Sequence, residues 1–129
     1  MMKPELTLLA WSVVLAIVHM LATVQALVMH KGLMTAFGNR DNLPELPGWG
    51  GRAGRANSNM AHNLVLFAAV VLAVVAAGRT NDMTLLGAQL FFWGRVAYAV
   101  CYLGGIPYLR TLSWLVSLIG IVLILIRLL

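Results

Sequence analysis

The sequence predicts an all-α integral membrane protein built as a bundle of four transmembrane helices. Of its 129 residues, 61% are hydrophobic and only 10% are charged, so a soluble fold would lack the polar side chains needed to cover its surface. Four long apolar runs are separated by glycine, proline and charged residues. Each run is close to the roughly 20 helical residues that cross a bilayer core. The length fits a single domain over residues 1–129.

The first two helices are predicted over residues 6–30 and 52–77. The first apolar run is too long for the core of a signal peptide and has no small-residue cleavage pattern, so we interpret it as a retained helix. Prolines and glycines in residues 31–51 predict the longest loop. The second helix is polar in its first half and becomes lipid-compatible from Leu64 onwards.

The third and fourth helices are predicted over residues 83–103 and 108–126, separated by a glycine pair and a proline. Lysines and arginines near helix ends favour the cytoplasmic side of a membrane. They are more numerous beside the first and third loops (Lys31, Arg40, Arg52, Arg55 and Arg110) than at the other end (Lys3, Arg79 and Arg127). This bias predicts that both termini lie outside the cytoplasm.

Four polar residues of the second predicted helix share one face. They are Arg52, Arg55, Asn59 and His62. Their spacings of three, four and three residues place them on a single stripe, because residues three or four apart in a helix are neighbours. Taken alone, the stripe fits a solvated helix start as well as a ligand-binding face.

The third predicted helix carries Arg95, Tyr98 and Tyr102 at helical spacing. Arg95 lies about 13 Å of helical rise inside the break at Gly104. An arginine at this depth is costly unless it faces protein or water, so it indicates a functional site by default. Pairing with backbone carbonyls or snorkelling to the membrane surface is the structural alternative.

Arg110 and Thr111 stand at the start of the fourth helix, and the predicted topology brings them to the same end as Lys31. The second and fourth helices begin at this end, so their positive dipole ends also point there. We therefore expect this end to bind a polyanionic ligand at the membrane surface. An anionic lipid headgroup would satisfy the same charges.

Other classes of function are disfavoured. The net charge of +5 is dispersed rather than gathered into a basic stripe, which argues against nucleic acid. One cysteine, Cys101, cannot form an intramolecular disulfide, and His19 and His30 are too far apart to share a metal. A small multidrug transporter needs a carboxylate inside the membrane. The four acids fall instead at helix ends or in loops: Glu5, Asp41, Glu45 and Asp82.

Three segments, in this order and on these helices, carry a resemblance to a known family. They are Gly38-Asn39-Arg40-Asp41-Asn42 with Pro44 and Pro47, Gly51-Arg52-Ala53-Gly54-Arg55-Ala56-Asn57-Ser58-Asn59, and Arg95-Val96-Ala97-Tyr98 leading to Tyr102, Pro107, Arg110 and Trp114. Over nearly the whole chain the sequence resembles the MAPEG family, the membrane-associated proteins of eicosanoid and glutathione metabolism, and particularly its short bacterial members.

The resemblance implies a homotrimer in a bacterial inner membrane, with glutathione bound between neighbouring subunits near the cytoplasmic face. It implies a glutathione-dependent transferase or peroxidase acting on lipophilic electrophiles or lipid hydroperoxides. Glutathione has carboxylates and a thiol whose reactive form is the thiolate, so it matches the polyanion expected from the charges. The implied partners are further copies of this chain, membrane lipids and a lipophilic small molecule.

Roles follow from matching positions in the family pattern. Arg110 would sit nearest the glutathione sulfur and lower the pKa of the thiol by favouring the charged form, and Thr111 would donate a hydrogen bond to the same sulfur. Lys31 would replace a first-helix arginine. The remaining implied contacts are Arg52, Arg55, Asn59 and His62 on the second helix, and Arg95, Tyr98 and Tyr102 lining the pocket on the third.

One departure from the family pattern matters for the site. His62 stands where the family usually has a glutamate on the second helix. The missing carboxylate bears on both the orientation of glutathione and the polar network of the pocket. The alternative function is therefore a non-catalytic binding or scaffold protein of the same fold.

Overall fold

Over the residues that it describes (2–34, 38 and 46–129), the computed structural model contains four long helices and no strand. In chain order they are α1 (Pro4–Lys31), α2 (Gly48–Ala76), α3 (Asp82–Leu103) and α4 (Pro107–Leu128). All four are long and apolar enough to cross a membrane. The predicted fold class is thereby confirmed. The loop residues Asn39, Arg40, Asp41, Asn42, Pro44 and Glu45 lie outside the described part of the chain.

Helix α2 begins four residues before its predicted start, so the prediction of a loop through residue 51 was wrong at its end. Pro47 is the extended residue that precedes the helix. Gly50 then packs so closely that a Cβ there would lie 3.1 Å from the Cβ of Leu46 and 3.4 Å from that of Ala26. Close packing of this turn against α1 outweighs the low helix propensity of glycine.

Helices α3 and α4 pack backbone against backbone through small residues. A Cβ added at Gly87 would lie 2.6 Å from the carbonyl oxygen of Gly120, and one added at Gly120 would collide with the carbonyl oxygen of Gly87. Farther along α3, a Cβ at Gly94 would lie 3.0 Å from the backbone nitrogen of Ser117. Small residues that allow such close approach are typical of helix pairs in membranes.

The apolar core lies in the half of the bundle away from the start of α2. Phe67 of α2 and Phe91 of α3 stack with their ring centroids 3.9 Å apart, and both side chains are fully buried. Many large apolar side chains on the outer helix faces are exposed, among them Leu21, Leu66 and Trp93. These faces suit contact with lipid.

The N-terminus of α3 is fixed by polar contacts. Asn81 and Thr84 form a reciprocal capping box, and the Thr84 hydroxyl donates to Oε2 of Glu5 at 2.7 Å. Glu5, predicted at a helix end, is indeed in the first turn of α1, but it is buried at 3% exposure. This contact ties α1 to α3 at one end of the bundle. We call the opposite end, where α2 and α4 begin, the site end.

Candidate functional site

At the site end a cavity of about 580 Å³ opens between α1 and α2. Three of the predicted stripe residues line it: Arg55, Asn59 and His62. The spacing in the sequence predicted that these side chains share a helix face, and the structure gathers them around one cavity. We call it the α1–α2 cavity.

A second cavity, of about 290 Å³, lies on the other side of α2, between α2, α3 and α4. Its lining consists of Asn59, Tyr98, Tyr102, Arg110, Thr111 and Trp114. A neighbouring cavity of about 180 Å³ is lined by Arg52, Arg55, Tyr102, Arg110 and the turn between α3 and α4. We call the larger of these two the α2–α4 cavity. Asn59 lines both it and the α1–α2 cavity.

Tyr102 lies between two arginines. Nε of Arg55 donates to the Tyr102 hydroxyl oxygen at 2.8 Å, and the Arg110 guanidinium carbon lies 4.9 Å from the centre of the same ring. The electron-rich ring face attracts a cation at this distance. Tyr102 therefore contacts one arginine from α2 and one from α4, beside the cavity of about 180 Å³ that both arginines line.

Arg95 lies behind these cavities rather than in their linings. Its side chain is fully buried, with the guanidinium carbon 4.2 Å from the centre of the Tyr98 ring. Nη1 of Arg95 donates to Oδ1 of Asn59 at 2.8 Å. Within the described part of the chain, Arg95 therefore contacts two residues that line the cavities, Asn59 and Tyr98.

His62 is exposed, and its Nδ1 donates to the carbonyl oxygen of Ser58 at 2.9 Å. A carbonyl oxygen can only accept, so Nδ1 carries a proton and Nε2 is the ring atom left for a ligand in the cavity.

Comparison with protein families decides the identity of this fold. A sequence model of the MAPEG family matches residues 8–129, nearly the whole chain. The chain belongs to the MAPEG family. No curated protein and no solved structure matched it. Membership makes it a multi-pass membrane protein of the type found in glutathione and eicosanoid metabolism.

The other predicted residues of this MAPEG chain occupy different places. Arg52 is half-buried beside Gly105 and lines the smallest of the three cavities, while Thr111 is exposed in the α2–α4 cavity. Lys31 is the last residue of α1, exposed at the site end, and lines none of the three. Within a single chain, Lys31 therefore lies apart from the cavities that the other predicted residues line or adjoin.

Two hydroxyl residues of the MAPEG chain line the α1–α2 cavity without having been predicted: Thr23 and Ser58. Single threonines and serines are common in membrane helices, so nothing in the sequence distinguishes these two as site residues. Thr23 also donates to the carbonyl oxygen of His19 at 2.9 Å, an ordinary contact within α1. Its place at the cavity depends on how α1 packs against α2.

Proposed function

We propose that this MAPEG chain is a membrane enzyme that binds glutathione at the site end and uses its thiolate on a lipophilic partner. The supporting observation is the gathering of Arg52, Arg55 and Arg110 around adjoining cavities. Glutathione brings carboxylates and a thiol, which cations favour in their ionised forms. The excess of lysine and arginine at the site end favours the cytoplasmic face for it, in what we propose is a bacterial inner membrane.

In this proposal the residues of α2 and those of α4 have different roles. Arg55 and Asn59 bind the peptide and its carboxylates, while Arg110 stabilises the thiolate and Thr111 donates to the same sulfur. In the transferase reaction, sulfur forms a bond to an electrophilic carbon as the leaving group departs. In the peroxidase reaction, sulfur attacks a peroxide oxygen and the O–O bond breaks, giving an alcohol and a sulfenic acid. A second glutathione reduces that acid to the disulfide and water.

A homotrimer is part of this proposal. Arg55, Ser58 and His62 are exposed on a helix that crosses the membrane. Polar side chains at such positions are costly unless protein or water encloses them, and neighbouring copies would provide that enclosure. The lipophilic substrate would then arrive from the surrounding lipid.

The experiment is a titration of glutathione into purified protein, followed by the ultraviolet absorbance of the thiolate. We expect a thiolate band at neutral pH. S-methylglutathione is the control, because it keeps the carboxylates but has no ionisable thiol; it should compete for binding and give no band. Absence of both binding and the band would refute the proposal.

A binding protein without turnover is the second candidate, and the observation that favours it is His62 where the family usually has a glutamate. Glutathione binding combined with no detectable conjugation of a generic aryl halide and no reduction of a lipid hydroperoxide would support this alternative over the enzyme.

A further inference from the structure

Asn59 lines both the α1–α2 cavity and the α2–α4 cavity, and its amide has a definite orientation. Oδ1 accepts two hydrogen bonds, from Nη1 of Arg95 at 2.8 Å and from Nδ2 of Asn63 at 3.1 Å. A guanidinium group has donors and no acceptor, so the amide atom facing Arg95 must be the oxygen. The NH2 group of Asn59 is then directed away from Arg95, on a side chain that lines both cavities.

The two donors are themselves held in place. Arg95 is fully buried and stacks on Tyr98, while Asn63, at 8% exposure, also donates through Nδ2 to the backbone oxygen of Asn59 at 2.8 Å. Rotation of the Asn59 amide would turn its NH2 group against the buried guanidinium and leave Nη1 of Arg95 without its acceptor, while Asn63 would keep only the backbone oxygen of Asn59. A buried donor that has lost its acceptor raises the free energy of the folded state.

We propose that Arg95 and Asn63 are positioning residues that hold Asn59 as a hydrogen-bond donor, so that the site recognises an acceptor oxygen of its ligand. This inference rests on the proposed function, in which that oxygen is a peptide carbonyl or carboxylate of glutathione. Arg95 acts through Asn59 and does not touch the ligand. Its positive charge also polarises the amide, which strengthens the donor on the opposite side.

The deciding variant is Asn59→Asp. It keeps the size of the side chain and leaves an oxygen for Arg95, now in an ion pair, but it offers the cavities no N–H group. We expect a melting temperature at least equal to that of the wild type and a loss of glutathione affinity of about tenfold or more. Asn57→Asp is the matched control, because it adds the same charge to α2 at a position that lines neither the α1–α2 cavity nor the α2–α4 cavity. It should bind glutathione nearly as the wild type does.

Substitution of Arg95 tests the positioning itself. Arg95→Lys keeps a donor for Oδ1, whereas Arg95→Met keeps the bulk and removes the donor. We expect the lysine variant to retain more of the glutathione affinity than the methionine variant at comparable folding. Equal affinities in these two variants, or wild-type affinity in Asn59→Asp, would overturn the proposal while leaving glutathione binding intact.

A measurement on the ligand-free protein separates this inference from the proposed function. The side-chain amide signal of Asn59 in a nitrogen-15 spectrum is identified by its loss in Asn59→Asp. We expect a water-soluble paramagnetic agent to broaden it strongly, while the buried amide of Asn63 stays sharp. If the Asn59 signal is as protected as that of Asn63, the orientation is wrong. A wild type that fails to bind glutathione refutes the proposed function, and this spectrum still decides the orientation.

Discussion

Arg110 is the charge expected closest to the glutathione sulfur, and it is held over the ring of Tyr102 in the α2–α4 cavity. We predict that Arg110→Ala folds normally but loses most thiolate formation, by about tenfold or more, because a nearby charge in a partly dry site favours the ionised thiol. The measurement is thiolate absorbance at saturating glutathione. Arg127→Ala is the control, since Arg127 lies at the opposite end of the bundle. Wild-type absorbance in Arg110→Ala would show that Arg110 does not activate the thiol.

His62 stands where the resemblance to the family leads us to expect a glutamate. We predict that His62→Glu tightens glutathione binding, because a carboxylate in the α1–α2 cavity can pair with the glutathione ammonium group and orient Arg55. Isothermal titration measures the change in affinity. His30→Glu is a matched control, since Nδ1 of His30 also donates to the carbonyl oxygen four residues earlier, at 2.8 Å, but His30 does not line this cavity.

The opposite result at position 62 would be equally informative. If His62→Glu abolishes glutathione binding in a protein that remains assembled, the ligand is held differently from the family pattern. The glutathione assignment should then be withdrawn.

At the scale of helices, the contact between α3 and α4 depends on residues without side chains. We predict that Gly120→Ala destabilises the protein by about 1–3 kcal/mol, because the added methyl group meets the backbone of α3 at Gly87 and Phe91. Gly54→Ala is the control: a Cβ there meets nothing within 4 Å. It should be neutral or stabilise α2 by up to about 1 kcal/mol. Thermal unfolding in detergent compares the two, and equal stability of the two variants would contradict the close packing.

The bounds of three helices could be predicted to within two residues because apolar length and helix breakers are local properties of the sequence. The start of α2 could not. Three glycines and a proline around residue 48 normally indicate a loop, and only contact with Leu46 and α1 makes Gly50 favourable in a helix. Packing between distant parts of the chain overrode the local preference.

At the scale of the whole molecule, we predict that the protein is a homotrimer. Native mass spectrometry in mild detergent should give a dominant species of three chains, because the exposed polar face of α2 requires neighbours within the membrane. Chemical cross-linking in a Cys101→Ser background removes disulfides as a source of artefact, since Cys101 is the sole cysteine. Monomers alone in both measurements would contradict the prediction.

The sequence by itself determined four membrane-spanning helices, a polar stripe on the second helix and an excess of cations at one end. These follow from residue type and helical spacing, which need no knowledge of neighbouring helices. Spacing also placed Arg55, Asn59 and His62 on the face that lines one cavity.

Only the tertiary structure decided which atoms of different helices meet. It brought Arg55 and Arg110 to Tyr102, left Lys31 apart, and turned Arg95 toward Asn59 instead of into the cavities. A spacing fixes the face on which a residue lies, but the rotation and packing of each helix fix what that face contacts. For a long side chain such as that of arginine, helix packing therefore decides whether the residue contacts the ligand or is buried and positions another residue.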